Sequence, residues 1–172
     1  MTISLSETKK IEFLKDEYLL LQNQYEDYDK RSLQIKGWVS SGAIAGLALG
    51  FSTSEDLAYV IPIITAIIVV ITWYLEAYWK IFQYALSDRI RSIEAFFRND
   101  QDILQKEIAP FQIYNSWFSS YTKDNPIYPY EQTKRPVKFH KRLKNAAFQR
   151  FVLLPYFPII LLCIASAAIL VC

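Results

Sequence analysis

KGWVSSGAIAGLALGFSTSE, residues 36–55, decides how the rest of the chain is read. It holds all four glycines of the protein, and Gly42, Gly46 and Gly50 follow one another at four-residue spacing inside a run without charge. On a helix that spacing stacks them on one face as a strip without side chains, where a second backbone can approach closely. In a water-soluble core helix each would cost about 1 kcal/mol relative to Ala. A strip of them therefore points to helix packing in lipid, where close contact replaces the missing hydrophobic drive.

Working outward, three windows carry no charge: residues 37–54, 57–75 and 151–172, which are 18, 19 and 22 residues long. A helix needs roughly 20 apolar residues to cross a hydrocarbon core, so each window qualifies as a crossing. Six of the 19 Lys and Arg precede Gly37 and thirteen lie between Lys80 and Arg150, while the turn between the first two windows holds only Glu55 and Asp56. The positive-inside rule then places the N-terminus and the long middle segment in the cytoplasm, and three crossings put the C-terminus on the periplasmic side. The start of the chain, polar and balanced in charge, does not read as a cleavable signal peptide. A net charge of +2 gives no general argument for a nucleic-acid partner.

The fold expected is an all-α integral membrane protein, a long helical hairpin over residues 6–98 that runs through lipid and cytoplasm, with a third hydrophobic helix at the C-terminus. Four regions follow: a cytoplasmic amphipathic arm (1–36), a transmembrane hairpin (37–79), a cytoplasmic stem with a basic, Tyr- and Pro-containing segment (80–150), and a third crossing (151–172). In the arm, Ile11, Leu14, Tyr18, Leu21, Tyr25, Tyr28, Ser32 and Ile35 recur at three-four spacing. That seam fits packing on the chain's own stem or an intermolecular coiled coil. Ser6 is a candidate N-cap. Lys36 and Trp38 mark the cytoplasmic interface of the first crossing, and Trp73, Tyr74, Tyr78 and Trp79 form an aromatic belt where the second leaves the membrane. The stem period continues through Phe82, Leu86, Ile90, Ile93 and Phe97, with a break at Asn99 and Asp100. Pro110 ends a helix containing Ile103, Leu104 and Ile108. Residues 111–135 read as an ordered or partly extended loop.

From Lys134 to Arg150 there are seven basic residues and no acid. Lys134, Arg135, Lys138, Lys141, Arg142, Lys144 and Arg150 suit anionic headgroups on a juxtamembrane helix, or else a nucleic acid or other polyanion. Pro155 and Pro158 kink the third window or delay its helix to Pro158, in which case the segment is re-entrant or lies on the surface. His140 reads as a surface histidine and Cys163 as a small buried hydrophobe, while Cys172 could join two copies. No phosphate loop, nucleophile elbow, metal cluster or paired-carboxylate pattern is present, so neither enzymatic activity nor a cofactor is expected.

Thr65, Thr72, Glu76 and Gln83 share one side of the second crossing. They are candidate pore-lining residues facing the axis of an oligomer, with Glu76 ringing the cytoplasmic mouth. In the structural alternative the threonines bond their own backbone and Glu76 pairs with Lys80 one turn on. The junction YEDYDKRSLQIKGW, Tyr25 to Trp38, followed by two crossings and a basic stem, resembles the small two-transmembrane effectors of bacterial anti-phage systems over residues 10–98. These include the retron-associated type and the SMODS- and SLOG-associating type. The resemblance implies an inner-membrane toxin that oligomerises to permeabilise or depolarise the membrane when a regulatory protein or protein–nucleic acid complex, such as a reverse transcriptase with its DNA, releases it. The expectation of another class is a non-conducting anchor whose arm docks a soluble partner through the Ile11–Ile35 seam. No ionisable residue lies near a bilayer midplane, which disfavours a transporter.

Overall fold

A computed structural model describes residues 6–53, 58–99, 108–122 and 139–171. The described residues form five helices and no strand: α1 (Glu7–Ser52), α2 (Val60–Phe97), α3 (Ile113–Thr122), α4 (Phe139–Ala147) and α5 (Arg150–Val171). Arm and glycine-rich stretch are thus one helix, and second window and stem another. Ser6 stands just before α1, where its carbonyl accepts from the Lys10 amide at 3.0 Å. α2 ends at Phe97, followed by Asn99 at φ 54 with its amide on the Phe96 carbonyl. This is the left-handed ending that Asn tolerates better than most residues.

The chain divides into two compact units, Met1–Asp29 with Lys80–Arg142, and Lys30–Trp79 with Leu143–Cys172. In the first, the arm seam closes on the chain's own stem. Leu14 and Leu21 are fully buried against Leu86, Ile90 and Ile93, with Tyr18, Tyr25, Tyr28, Phe96 and Trp117 packed around them. Ile11, the seam's outermost member, is exposed. Burial and the neighbouring Asp29 push the Tyr25 phenol above its ordinary pKa. α3 occupies part of the stretch expected as a loop. Its aromatic and serine residues are modest helix formers, so packing supplies what propensity lacks. Trp117 and Tyr121 stack on Phe82 at 5.6 and 4.9 Å, and Ile113 joins the core cluster. Ile103, Leu104 and the remainder of the expected loop, 123–135, lie outside the described residues.

In the second unit, Ala43, Val69 and Tyr156 form a small core with Val39, Trp73, Ile159 and Ile160. Many of its large apolar side chains are exposed: Ile64, Ile67, Ile68 and Ile71 of α2, Leu154, Phe157, Leu161, Leu162 and Ile164 of α5, and Trp38, Ile44 and Leu49 of α1. Large exposed apolar surfaces are the kind found at membrane and partner contacts.

By length and composition, two described helices, α2 and α5, could cross a membrane, and only 22% of each apolar window is buried. The glycine-rich half of α1 is not among them. Its Gly, Ser and Ala residues leave little apolar surface, even though no charge interrupts it. α5 begins at Arg150 and incorporates both prolines, so its helix is not delayed to Pro158. A pyrrolidine nitrogen cannot donate, which leaves the carbonyl of Phe151, four residues before Pro155, without its helical partner.

Candidate functional site: a carboxylate clasp

In the second unit the polar side chains converge on Glu76. Ser32 and Lys36 are four residues apart on α1 and share a face; Trp73 and Glu76, three apart, share a face of α2; Tyr156 projects from α5. Glu76 is 6% exposed. Its Oε1 accepts from the Ser32 hydroxyl at 2.6 Å and lies 2.8 Å from the Lys36 ammonium, and its Oε2 accepts from the Tyr156 hydroxyl at 2.6 Å. Lys36 Nζ also donates to the Phe151 carbonyl at 2.6 Å, the acceptor orphaned by Pro155, and lies 6.0 Å from the centroid of the Phe151 ring. Alongside, Trp73 Nε1 donates to the carbonyl of Ala147, the last residue of α4, at 3.0 Å, and its ring meets Phe148 edge-on. One carboxylate therefore collects donors from α1 and α5 while the same ammonium caps the first turn of α5.

Chemically this is a saturated, charge-balanced clasp. Among the described residues no group of three or more His, Cys, Asp or Glu is placed to hold a metal ion. A buried ion pair adds little net stability but resists the loss of either partner, so such pairs serve specificity and switching better than bulk stability.

Of the pore-lining candidates, Thr65, Glu76 and Gln83 meet α1. Thr65 and Thr72 donate to the carbonyls of Ile61 and Ile68, both at 2.9 Å, as in the backbone-bonding alternative. Gln83, 1% exposed, donates to the Tyr25 carbonyl in the first unit. Glu76 takes Lys36 in place of Lys80, and Lys80 pairs instead with Asp29 at 2.8 Å. The sequence marked Lys36 as interfacial, Trp73 as belt and Ser32 as seam. Their role in the clasp was foreshadowed by the polar Ser32 in an otherwise apolar seam and by the carbonyl freed at Phe151.

The glycine strip is used unevenly. A Cβ at Gly46 would sit 2.7 Å from Thr65 Oγ1 and one at Gly50 would sit 3.2 Å from Pro62 Cδ, whereas a Cβ at Gly42 meets nothing within 4 Å. The contact of α1 with α2 thus accounts for Gly46 and Gly50. Thr65 is stiff at χ1 and tied to Ile61, so it cannot swing aside freely. We expect Gly46→Ala to destabilise by about 1–3 kcal/mol through overpacking, and Gly42→Ala to be neutral or stabilising by up to about 1 kcal/mol. Unfolding in detergent micelles measures both; equal midpoints for the two variants would remove the close contact.

Of the basic run, Lys134, Arg135 and Lys138 lie outside the described residues. Lys141, Lys144, Arg150 and His140 are exposed. Arg142 is engaged within the protein, donating to the carbonyls of Ser120 and Tyr121 at 2.9 and 2.8 Å and lying over the Phe139 ring. It fastens α4 to the end of α3. Cys163 is fully buried, and Cys172 lies outside the described residues.

A second buried ion pair sits in the first unit. Arg89 grips Glu17 through Nε–Oε1 at 2.7 Å and Nη2–Oε2 at 3.0 Å, and Nη2 also donates to the Ala109 carbonyl at 2.8 Å. Glu17 Oε2 accepts the Phe111 amide at 2.9 Å. Phe111 has φ 62, a left-handed conformation that strains a bulky residue by roughly 1–3 kcal/mol. The ion pair thus holds a short strained turn ahead of α3. Glu17, which by its place between the seam residues is expected on the arm's solvated face, is buried instead, because its partner is an Arg 72 positions away that leaves no local signature.

Comparison of the chain with protein-family models, curated proteins and solved structures finds no match.

Proposed function

We propose that the chain is a membrane effector of the bacterial anti-phage kind, resident in the inner membrane and held closed by the Glu76 clasp until a partner releases it. The observation that carries this reading is what the Tyr25–Trp38 junction does. That stretch bears the resemblance to two-transmembrane effectors, and it supplies the Tyr25 carbonyl to Gln83, Asp29 to Lys80, and Ser32 and Lys36 to Glu76. Each contact joins α1 to α2, so the motif carries polar links between the two helices. An ionisable residue buried beside an apolar helical segment is a functional hypothesis by default. Here its neutralising partner comes from another helix, so helix separation would uncover charge. In this reading the less apolar α1 crosses through its packing on α2, alongside α2 and α5, the N-terminus is cytoplasmic, and copies reassociate to permeabilise or depolarise the membrane. The exposed Lys141, Lys144 and Arg150 meet anionic lipid or the restraining complex.

The test is expression in bacteria without a partner, read with a potential-sensitive dye. Wild type is expected to depolarise the cells, Glu76→Gln to do so at lower expression, and Gly46→Leu to be silent while still fractionating with membranes. An unchanged dye signal for both wild type and Glu76→Gln would count against the proposal. Harmless expression of both would favour the second reading, a non-conducting anchor, which is supported by the internal partners of Thr65, Thr72 and Gln83. Such an anchor would dock its partner elsewhere than the Ile11–Ile35 seam, since Leu14 and Leu21 are buried against the stem.

A further inference from the structure

We propose that Ser120 and Arg142, both in the first unit, form a phosphate-binding site where α4 is fastened to the end of α3. The starting observation is a pair of orphans. Ser120 is 4% exposed, and its hydroxyl and the Nε of Arg142 are both buried without a hydrogen-bond partner. Unpaired buried polar atoms destabilise a fold, and native proteins keep few of them. Two in one side-chain contact point to a missing acceptor.

Arg89 shows what the same part of a guanidinium does when it is filled. Its Nε and Nη2 grip the two oxygens of Glu17 at 2.7 and 3.0 Å. Arg142 gives Nη1 and Nη2 to the carbonyls of Ser120 and Tyr121, at 2.9 and 2.8 Å, and nothing meets its Nε. Each terminal nitrogen carries two N–H groups, so Nη2 keeps a second donor beside Nε–H. This two-pronged edge matches an oxyanion in geometry. The Ser120 hydroxyl, on a residue whose carbonyl Arg142 already holds, supplies a third donor.

Charge selects the ligand. Among the described residues no carboxylate pairs with Arg142, whose partners are main-chain carbonyls and the Phe139 ring. Residues 108–122 carry no charge and residues 134–150 carry no acid, while the adjacent Lys141 is exposed. The C-terminal end of α3 offsets about half a unit of the guanidinium charge through the helix dipole. A net positive field remains. A water molecule would satisfy the donors and leave that field as it is, and a carboxylate would use only two of the three donors. A phosphate group uses all three and brings more charge. Nε is covered in this state, so the ligand enters by a shift of the half-buried Arg142 side chain. Free phosphate and a phospholipid headgroup present the same oxygens. The inference does not rest on the membrane reading or on depolarisation.

The test is the thermal stability of the full chain in dodecyl maltoside micelles. Inorganic phosphate is expected to raise the midpoint above that in chloride of equal ionic strength. Ser120→Ala is the informative variant. Loss of an unpartnered buried hydroxyl should leave the ligand-free midpoint equal or higher, while phosphate affinity falls about tenfold. A purely structural serine would give the first result without the second. Arg142→Lys keeps the charge but not the fork, and should abolish the phosphate effect. Doping the micelles with phosphatidylglycerol separates the sources. A rise with the lipid that inorganic phosphate does not reproduce assigns the site to a headgroup, and a rise with inorganic phosphate assigns it to free phosphate; in either case the variants must lose it. Equal midpoints in phosphate and chloride with no response to the lipid, a larger effect of acetate than of phosphate, or a phosphate effect retained in both variants would overturn the site.

Discussion

Glu76→Ala is expected to destabilise the second unit by about 3–5 kcal/mol, the cost of leaving a buried charge without its partner. The ammonium of Lys36 is 14% exposed and would retain the Phe151 carbonyl but lose its counter-charge, while the hydroxyls of Ser32 and Tyr156 lose their acceptor. Glu76→Gln removes the charge and keeps one acceptor oxygen, the other becoming an amide donor that the facing hydroxyl can meet only by accepting, so its effect should be smaller, about 1.5–3 kcal/mol. The decisive variant is Lys36→Met/Glu76→Leu. Replacing both members of a buried pair by apolar residues of similar volume is commonly neutral or stabilising. The double variant should therefore lie within about 1–2 kcal/mol of wild type, the residue of the deficit being the Tyr156 and Ser32 hydroxyls and the Phe151 carbonyl. Unfolding by SDS titration in micelles gives all four corners of the cycle, and a double variant as unstable as the sum of the singles would show that the clasp is not a coupled pair.

Arg89→Ala should have an effect of similar size on the first unit, about 3–5 kcal/mol, with a different local signature. Glu17 would remain buried with only the Phe111 amide as donor, and the Ala109 carbonyl would lose its partner. The turn that holds Phe111 in its left-handed conformation is thereby freed, so amide exchange at Phe111 should rise by a larger factor than at Leu86 or Ile90 in the stem core. Arg89→Lys is the control. A single ammonium cannot reproduce the fork that reaches both Glu17 oxygens and Ala109, so it should recover less than half of the loss. Full recovery by lysine would mean that charge alone matters, and the bidentate geometry would lose its role.

Helix content was legible in the sequence because helical periodicity is a local property. The seam from Leu14 to Tyr28 and the stem from Leu86 to Ile93 each announced a buried face, and those faces meet. Asn99 announced the end of α2. α3 was not legible, because Ile113–Thr122 has neither strong helix formers nor a one-sided apolar pattern. Its aromatic residues face both the core, as Trp117 does, and the exterior, as Tyr114 does.

By itself, the sequence determined that the chain is helical and that α2 and α5 are apolar enough to cross a membrane, since composition and spacing are read without knowing any partner. Only the tertiary structure decided which charges neutralise one another. Lys80, one turn from Glu76, is the local candidate, yet Lys80 goes to Asp29 and Glu76 to Lys36. That choice depends on the register of α1 against α2, fixed by the fit of Thr65 at Gly46 and of Pro62 at Gly50. Register is a property of two surfaces in contact, and neither surface carries it alone.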